Sequence, residues 1–283
     1  MSTPPAICRS VESARRIIRD VQQRGGRTGF VPTMGALHAG HLSLVAAARE
    51  RDEFVAVSIF VNPTQFGPQE DLNRYPRTWD ADFAALTEAG AHMIFAPPVE
   101  VMYPSYWSTA VEPPRVSATL EGECRPGHFR GVATIVLKLF QIVPADDAFF
   151  GEKDYQQCLV IRDMVRDFDL PIEFHACPTV REPDGLAMSS RNRYLDAGQR
   201  QRALGLWRGM QAARAQLDAG LRDARQLERA VVEQLQLAPV DKIEYVAIRD
   251  PDTLETLDVV DRPARLLIAA RVGATRLIDN CGL

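Results

Sequence analysis

The sequence predicts an α/β protein: a parallel sheet with crossover helices, followed by a smaller α+β domain. Three observations carry this. Strand-like and helix-like segments alternate up to about residue 178. One strand-like run, Phe54–Val61, is almost continuously apolar and rich in β-branched residues, as suits a strand covered on both faces. After Arg181-Glu182-Pro183-Asp184-Gly185 the order changes to helices and then strands, which sets domains of 1–179 and 180–283.

In chain order, Thr28–Thr33 reads as a strand and His41–Arg51 as a helix. Phe54–Val61 follows as the next strand. Thr78–Glu88 reads as a helix capped by Thr78, with Asp80 and Asp82 in its first turn and Gly90 just past its end. Strand 92–96, helix 132–143, strand 148–150, helix 155–168 and strand 172–176 complete the alternation. Strand–helix–strand units of this kind build parallel sheets through right-handed crossovers. In the second domain, helices are expected near 197–218 and 224–235. Strands are expected at 243–248, 264–270 and 275–278.

The chain has 283 residues, 46% of them hydrophobic, with a formal net charge of −4, so no global basic field suggests a nucleic-acid partner. The opening Met1-Ser2-Thr3-Pro4-Pro5 lacks the pattern of a secretory signal, and no apolar stretch approaches the ~20 residues of a membrane span. The five cysteines are scattered and form no Cys-x-x-Cys pair, which reads as reduced thiols in a cytosolic protein.

Two common nucleotide signatures are absent. There is no Gly-x-x-x-x-Gly-Lys-Ser/Thr loop, and no Gly-x-Gly-x-x-Gly follows a strand. The most informative segment is Phe30-Val31-Pro32-Thr33-Met34-Gly35-Ala36-Leu37-His38-Ala39-Gly40-His41. Here an apolar strand feeds a glycine-bearing loop and then a helix start carrying two imidazoles. Free N–H groups and the helix dipole favour anions at such a start, and histidines donate to phosphate oxygens. The competing reading is one capping and one packed histidine.

Three further segments join it. Asn62-Pro63-Thr64-Gln65-Phe66 follows the second strand, where α/β sheets bind ligands; an ordinary Pro63 turn is the alternative. Gly151-Glu152-Lys153-Asp154-Tyr155-Gln156-Gln157 also follows a strand and carries one of only three lysines, a compact charge suited to phosphate or simply a surface lysine. Met188-Ser189-Ser190-Arg191-Asn192 offers hydroxyls, backbone donors and a guanidinium for a triphosphate, or is a polar loop before a helix. Arg125-Pro126-Gly127-His128-Phe129-Arg130 is a basic loop without an assigned role. Asp80 and Asp82 either approach a magnesium ion or complement the helix dipole.

Taken together and in this order, with Tyr75-Pro76-Arg77-Thr78 between them, these segments resemble the pantoate–β-alanine ligase family. That family lies within the nucleotidyltransferase superfamily, marked by its paired-histidine motif. Ala39 departs from the acid found in many relatives, at a position with no assigned chemistry.

The resemblance implies a Rossmann-like parallel-sheet N-terminal domain, a smaller α+β C-terminal lid, a homodimer and a cytoplasmic location. It implies ATP with Mg²⁺, and pantoate and β-alanine as substrates joined through a pantoyl adenylate, with AMP and pyrophosphate released. By the same resemblance, Met34, Gly35, Ala36, Leu37, His38, Ala39, Gly40 and His41 surround ATP, with His41 catalytic. Gly151, Glu152, Lys153, Asp154, Val180, Met188, Ser189, Ser190 and Arg191 complete that site. Gln65 contacts pantoate and β-alanine, and Gln157 binds pantoate. No metal ligand is assigned. The alternatives are another adenylate-forming enzyme on this scaffold, a nucleotide-binding regulator without turnover, and a nucleic-acid-binding relative of a synthetase.

Overall fold

In the computed structural model, residues 3–68 and 70–283 are described; Met1 and Ser2, part of the segment read for a leader, lie outside them. The chain divides into two compact units. The first comprises residues up to Glu152 together with Gln156–Pro178, and the second Lys153–Tyr155 with Thr179–Leu283.

The first unit begins with the short strand β1 (Ala6–Cys8) and helix α1 (Val11–Gln23), neither of which the sequence pattern revealed. Ser10 caps α1 through its side chain, and the helix buries Ala14 and Ile18. Then come β2 (Thr28–Thr33), α2 (Ala39–Arg51), β3 (Phe54–Ile59), α3 (Trp79–Glu88) and β4 (Met93–Phe95). Two single-turn helices, α4 (Val99–Met102) and α5 (Glu121–Cys124), precede α6 (His128–Ile142), β5 (Asp147–Gly151), α7 (Tyr155–Asp167) and β6 (Glu173–Cys177).

The six strands form one parallel sheet in the order β1-β4-β3-β2-β5-β6. Its middle is fully buried at Phe30, Val31, Val55, Val57, Ile94 and Phe149. This explains the unbroken apolar run of β3: a parallel strand between two helix layers has no wet face.

The expected Thr78 cap is not formed. Thr78 precedes α3, but its hydroxyl donates to the Asp82 carboxylate at 3.1 Å and leaves the helix N–H groups uncapped by its side chain. Asp82 is buried, and its need for donors draws the hydroxyl away.

In the second unit, α8 (Ala197–Asp218) opens with a capping box between Asp196 and Gln199, and Asp223 caps α9 (Ala224–Leu237). Strands β7 (Lys242–Arg249), β8 (Arg265–Val272) and β9 (Thr275–Gly282) form an antiparallel sheet in chain order. Leu206, Met210, Leu227 and Val231 of the helices join Leu266 and Ile268 of the sheet in one core. The molecule is thus α/β with a separate α+β unit.

Candidate active site

The carboxyl end of β2 carries the loop Met34–His38. Gly35 and Ala36 both adopt left-handed backbone, with φ of 78° and 51°. Glycine does so freely, whereas alanine is strained there by about 1 kcal/mol. Two oxygens of Asp82 hold the strained turn, accepting from Ala36 N–H at 2.9 Å and Leu37 N–H at 2.8 Å. The Thr33 hydroxyl accepts from Gly35 N–H at 3.1 Å. Asp82 therefore braces the loop through both carboxylate oxygens.

His38 is the N-cap of α2, and its Nδ1 accepts from Gly40 N–H at 3.2 Å. A ring nitrogen that accepts carries no proton, so neutral His38 bears its proton on Nε2, as a donor. The His38 and His41 rings lie side by side, with centroids 4.1 Å apart. Capping and phosphate handling are thus compatible, because the cap uses only one of the two ring nitrogens. Ala39 is exposed, and Gly40 lies in the first turn.

The carboxyl end of β3 leads to the Pro63–Gln65 turn, opened by Asn62. Tyr103 and Thr64 hydroxyls donate to Asn62 Oδ1 at 2.7 and 3.0 Å, so the Asn62 amide nitrogen faces Gln65 Oε1 at 3.0 Å. The Gln65 amide is thereby oriented, with Nε2 directed to Met34 Sδ at 3.3 Å. Two segments that the sequence kept separate meet here.

Behind this turn stands a polar chain the sequence did not resolve. Arg125 Nε and Nη2 donate to the two Glu70 oxygens at 2.6 Å each, and Arg125 Nη1 lies 2.9 Å from His128 Nε2. His128 Nδ1 lies 2.8 Å from the Gln65 carbonyl oxygen. Burial and the Arg125 charge push the His128 imidazole down to about 4. Burial raises the Glu70 carboxyl, but the Arg125 guanidinium outweighs it and leaves the group below its usual range.

Gly151 ends β5, and Glu152 follows it in a short turn. Gln157 is half-buried in the first turn of α7, while neighbouring Gln156 is buried and structural. The Gln156 amide donates to the carbonyls of Val116 and Thr119, each at 2.7 Å, and its oxygen accepts from Glu121 N–H at 3.0 Å.

The remaining candidates belong to the second unit. Asn280 Nδ2 of β9 donates to the Lys153 carbonyl at 2.9 Å, and Lys153 Nζ lies 3.4 Å from Asp154 Oδ1. Val180 and Met188 are brought together by the Met188 N–H to Val180 carbonyl bond of 3.0 Å. Ser189 caps the short helix Ser190–Tyr194, accepting from Arg191 N–H at 3.3 Å, and Ser190 is buried.

Among the described residues one group of three potential metal ligands occurs: Asp147, Glu173 and His175. It lies at the amino ends of β5 and β6, away from the loops above, and Arg27 and Arg51 already pair with its carboxylates. No helix of the described residues is long and apolar enough to cross a membrane.

Paired histidines at a helix N-terminus, just past a central strand of a parallel sheet, place this chain among α/β proteins with an anion-binding site at the carboxyl end of the sheet. The family model described as pantoate-beta-alanine ligase matches residues 6–282. The chain is 53% identical to pantothenate synthetase 1 of Bradyrhizobium diazoefficiens over 271 residues, covering 95% of each chain. It superposes on the crystal structure of pantothenate synthetase from Thermus thermophilus with a TM-score of 0.93 at 47% identity, over 98% of each chain. A pantoate-beta-alanine ligase from Francisella tularensis, solved in complex with beta-gamma ATP and beta-alanine, matches at 33% identity and a TM-score of 0.81, over 98% of this chain and 97% of that one. The chain belongs to the pantoate–β-alanine ligase family.

Proposed function

We propose that the chain condenses (R)-pantoate with β-alanine at the expense of ATP, through a pantoyl-adenylate intermediate. The pantoate carboxylate attacks the α-phosphate of ATP and pyrophosphate leaves. The β-alanine amine then attacks the acyl carbon, forming the amide as AMP departs. A carboxylate is nucleophilic at neutral pH, so the first step needs alignment and charge neutralisation more than a base.

The observation that carries this reading is the loop Met34–His41: a strained turn braced by Asp82, ending in a helix start whose His38 proton is directed to Nε2. In this reading Met34, Gly35, Ala36, Leu37, His38, Ala39 and Gly40 line ATP with His41. The histidine N–H groups stabilise charge growing on phosphate. Gly151, Glu152, Lys153 and Asp154, with Val180 and Met188, Ser189, Ser190 and Arg191, complete the nucleotide site. Lys153 and Arg191 supply positive charge. Gln65 and Gln157 select pantoate, and Gln65 also meets β-alanine.

Mg²⁺ belongs to the proposal as the triphosphate's counter-ion. Magnesium held chiefly by phosphate oxygens and water needs few protein ligands, which accords with Asp82 being taken up by backbone. When bound, it neutralises phosphate charge. The second unit, taken as domain 180–283, would act as a lid that keeps water from the mixed anhydride. A cytoplasmic homodimer is part of the same reading.

The test is a product assay with pantoate and ATP, with and without β-alanine. Pantoate-dependent pyrophosphate release without the amine is expected, followed by AMP and pantothenate on adding it. Formation of ADP and phosphate would overturn the mechanism.

A further inference from the structure

The basic loop before α6 has no part in the reaction as described, yet it is wired to the substrate turn. We propose that His128 is a positioning residue for acid activation: it holds the Gln65 main-chain carbonyl, and Arg125, locked by Glu70, holds His128. The proposal rests on the assignment of Gln65 to the pantoate site.

The partners fix the protonation of the ring. A guanidinium only donates and a peptide carbonyl only accepts. His128 Nε2, 2.9 Å from Arg125 Nη1, is therefore the acceptor, and Nδ1, 2.8 Å from Gln65 O, is the donor. Only the neutral Nδ1–H tautomer satisfies both. Burial and then the Arg125 charge push the imidazole down to about 4, so the ring is neutral at neutral pH, as its two partners require.

The relay acts on the turn rather than on the Gln65 amide itself. Arg125 Nη2 also reaches the Gln65 carbonyl, at 3.3 Å. One turn further along α6, Gly131 lets the helix lie directly against the substrate turn; a Cβ there would sit 2.5 Å from Thr64 O. The Gly131 carbonyl accepts from Asn62 Nδ2 at 3.2 Å. The first turn of α6 thus grips the Pro63–Gln65 turn from its backbone side, while Asn62 sets the Gln65 side chain. Displacing either grip re-aims the amide that meets the acid.

The test compares His128→Ala, His128→Asn and His128→Gln by pyrophosphate release with pantoate and ATP alone. An Asn amide nitrogen can occupy the place of Nδ1, whereas a Gln amide reaches only towards Nε2. His128→Ala is expected to raise KM for pantoate about 10-fold, the scale of one lost buried hydrogen bond, with KM for ATP changed less than about twofold. His128→Asn should recover most of the loss and His128→Gln little of it. Equal impairment by Asn and Gln, an unchanged KM for pantoate in folded His128→Ala, or parallel shifts in both KM values would overturn the proposal. Wild-type enzyme is assayed alongside; failure of its pantoate-dependent release would count against the reaction, not the relay. Should His128→Ala fail to fold, ¹⁵N long-range correlation spectra of the wild type decide. A neutral Nδ1–H ring at pH 6 is expected, and an Nε2–H or doubly protonated ring would overturn the relay.

Discussion

At the amino ends of β2, β3, β5 and β6, the residues Arg27, Asp52, Asp147 and Glu173 face one another. The carboxyl ends of β2, β3 and β5 instead feed Met34–His41, Asn62–Gln65 and Gly151–Glu152. At the amino end the polar groups are spent on each other: Arg27 Nε bonds Asp147 at 2.6 Å, Arg27 and Arg51 both bond Glu173, and His175 Nε2 lies 2.5 Å from Asp147. At the other end, the Arg125–Glu70 pair aside, they are spent on backbone. Asp82 braces a loop, His38 caps a helix, and His128 and Arg125 hold a carbonyl. Side chains that serve backbone fix the aim of their neighbours without neutralising them, which is what a binding site requires. Side chains that neutralise each other leave little for a ligand. The difference predicts that changes at the carboxyl ends alter catalysis, with or without a loss of stability, and that changes at the amino ends alter stability alone.

The largest effect expected is on His41 and Lys153. His41→Ala and Lys153→Ala should each slow single-turnover pyrophosphate release by at least ~10²-fold while the protein stays folded. Near-normal adenylation by either folded variant would remove its assigned role.

Asp82→Ala tests whether a brace at the carboxyl end is mechanical or chemical. It leaves the buried N–H groups of Ala36 and Leu37 without their acceptor. A loss of about 2–3 kcal/mol in denaturant unfolding is expected, with a raised KM for ATP. If stability falls with KM unaltered, the loop does not read ATP.

Asp52 sharpens the amino-end side of the comparison. Burial, and then the neighbouring Asp147, push its carboxyl up to about 7. Among the described residues neither Asp52 oxygen accepts a hydrogen bond, and Arg27 Nε lies 3.7 Å from Asp52 Oδ1. Its folded pKa thus exceeds its unfolded one, so between about pH 4 and pH 7 the folded protein holds a proton that the unfolded chain has released. Stability from this group therefore falls as pH rises through that window. Burial also raises Asp147, but hydrogen bonds with Arg27, His175 and Asp52 outweigh it and lower its carboxyl, an opposite dependence. Asp52→Asn should be more stable than wild type by about 2 kcal/mol at pH 8, converging towards pH 4, with unchanged kinetic constants. An unaltered pH slope in urea unfolding would show that the pair does not hold the proton.

Glu173→Gln should do least. The carboxylate is 53% exposed, and its pairs with Arg27 and Arg51 are screened, so a change under about 0.5 kcal/mol is expected. A larger loss by calorimetry would mean that the cluster acts as a cooperative network.

Much of the fold was legible because its signals are local. Phe54–Ile59 is apolar throughout because both faces are covered, and Asp196 and Gln199 mark their helix start within four residues. Strand β1 escaped because three residues at a sheet edge carry no periodicity. Helix α1 carries a weak local signal, Ser10 as cap with Ala14 and Ile18 at helical spacing. Thr78 does stand at the N-cap position, but its hydroxyl goes to the buried Asp82, which answers to the loop at Ala36 and Leu37, a demand no local pattern shows.

The sequence by itself determined the strand–loop–helix that carries His38 and His41, the order of the candidate segments and the family they resemble. Those features depend on backbone periodicity, on capping and on residue types at fixed spacing. The tertiary structure alone decided that Asp82 braces the histidine loop, that Glu70 locks Arg125, and that His128 holds Gln65. Each of those bonds joins residues some 45 to 63 positions apart in the chain. Such pairs leave no periodic trace, because burial forces a polar group to find a partner without specifying where in the chain that partner lies.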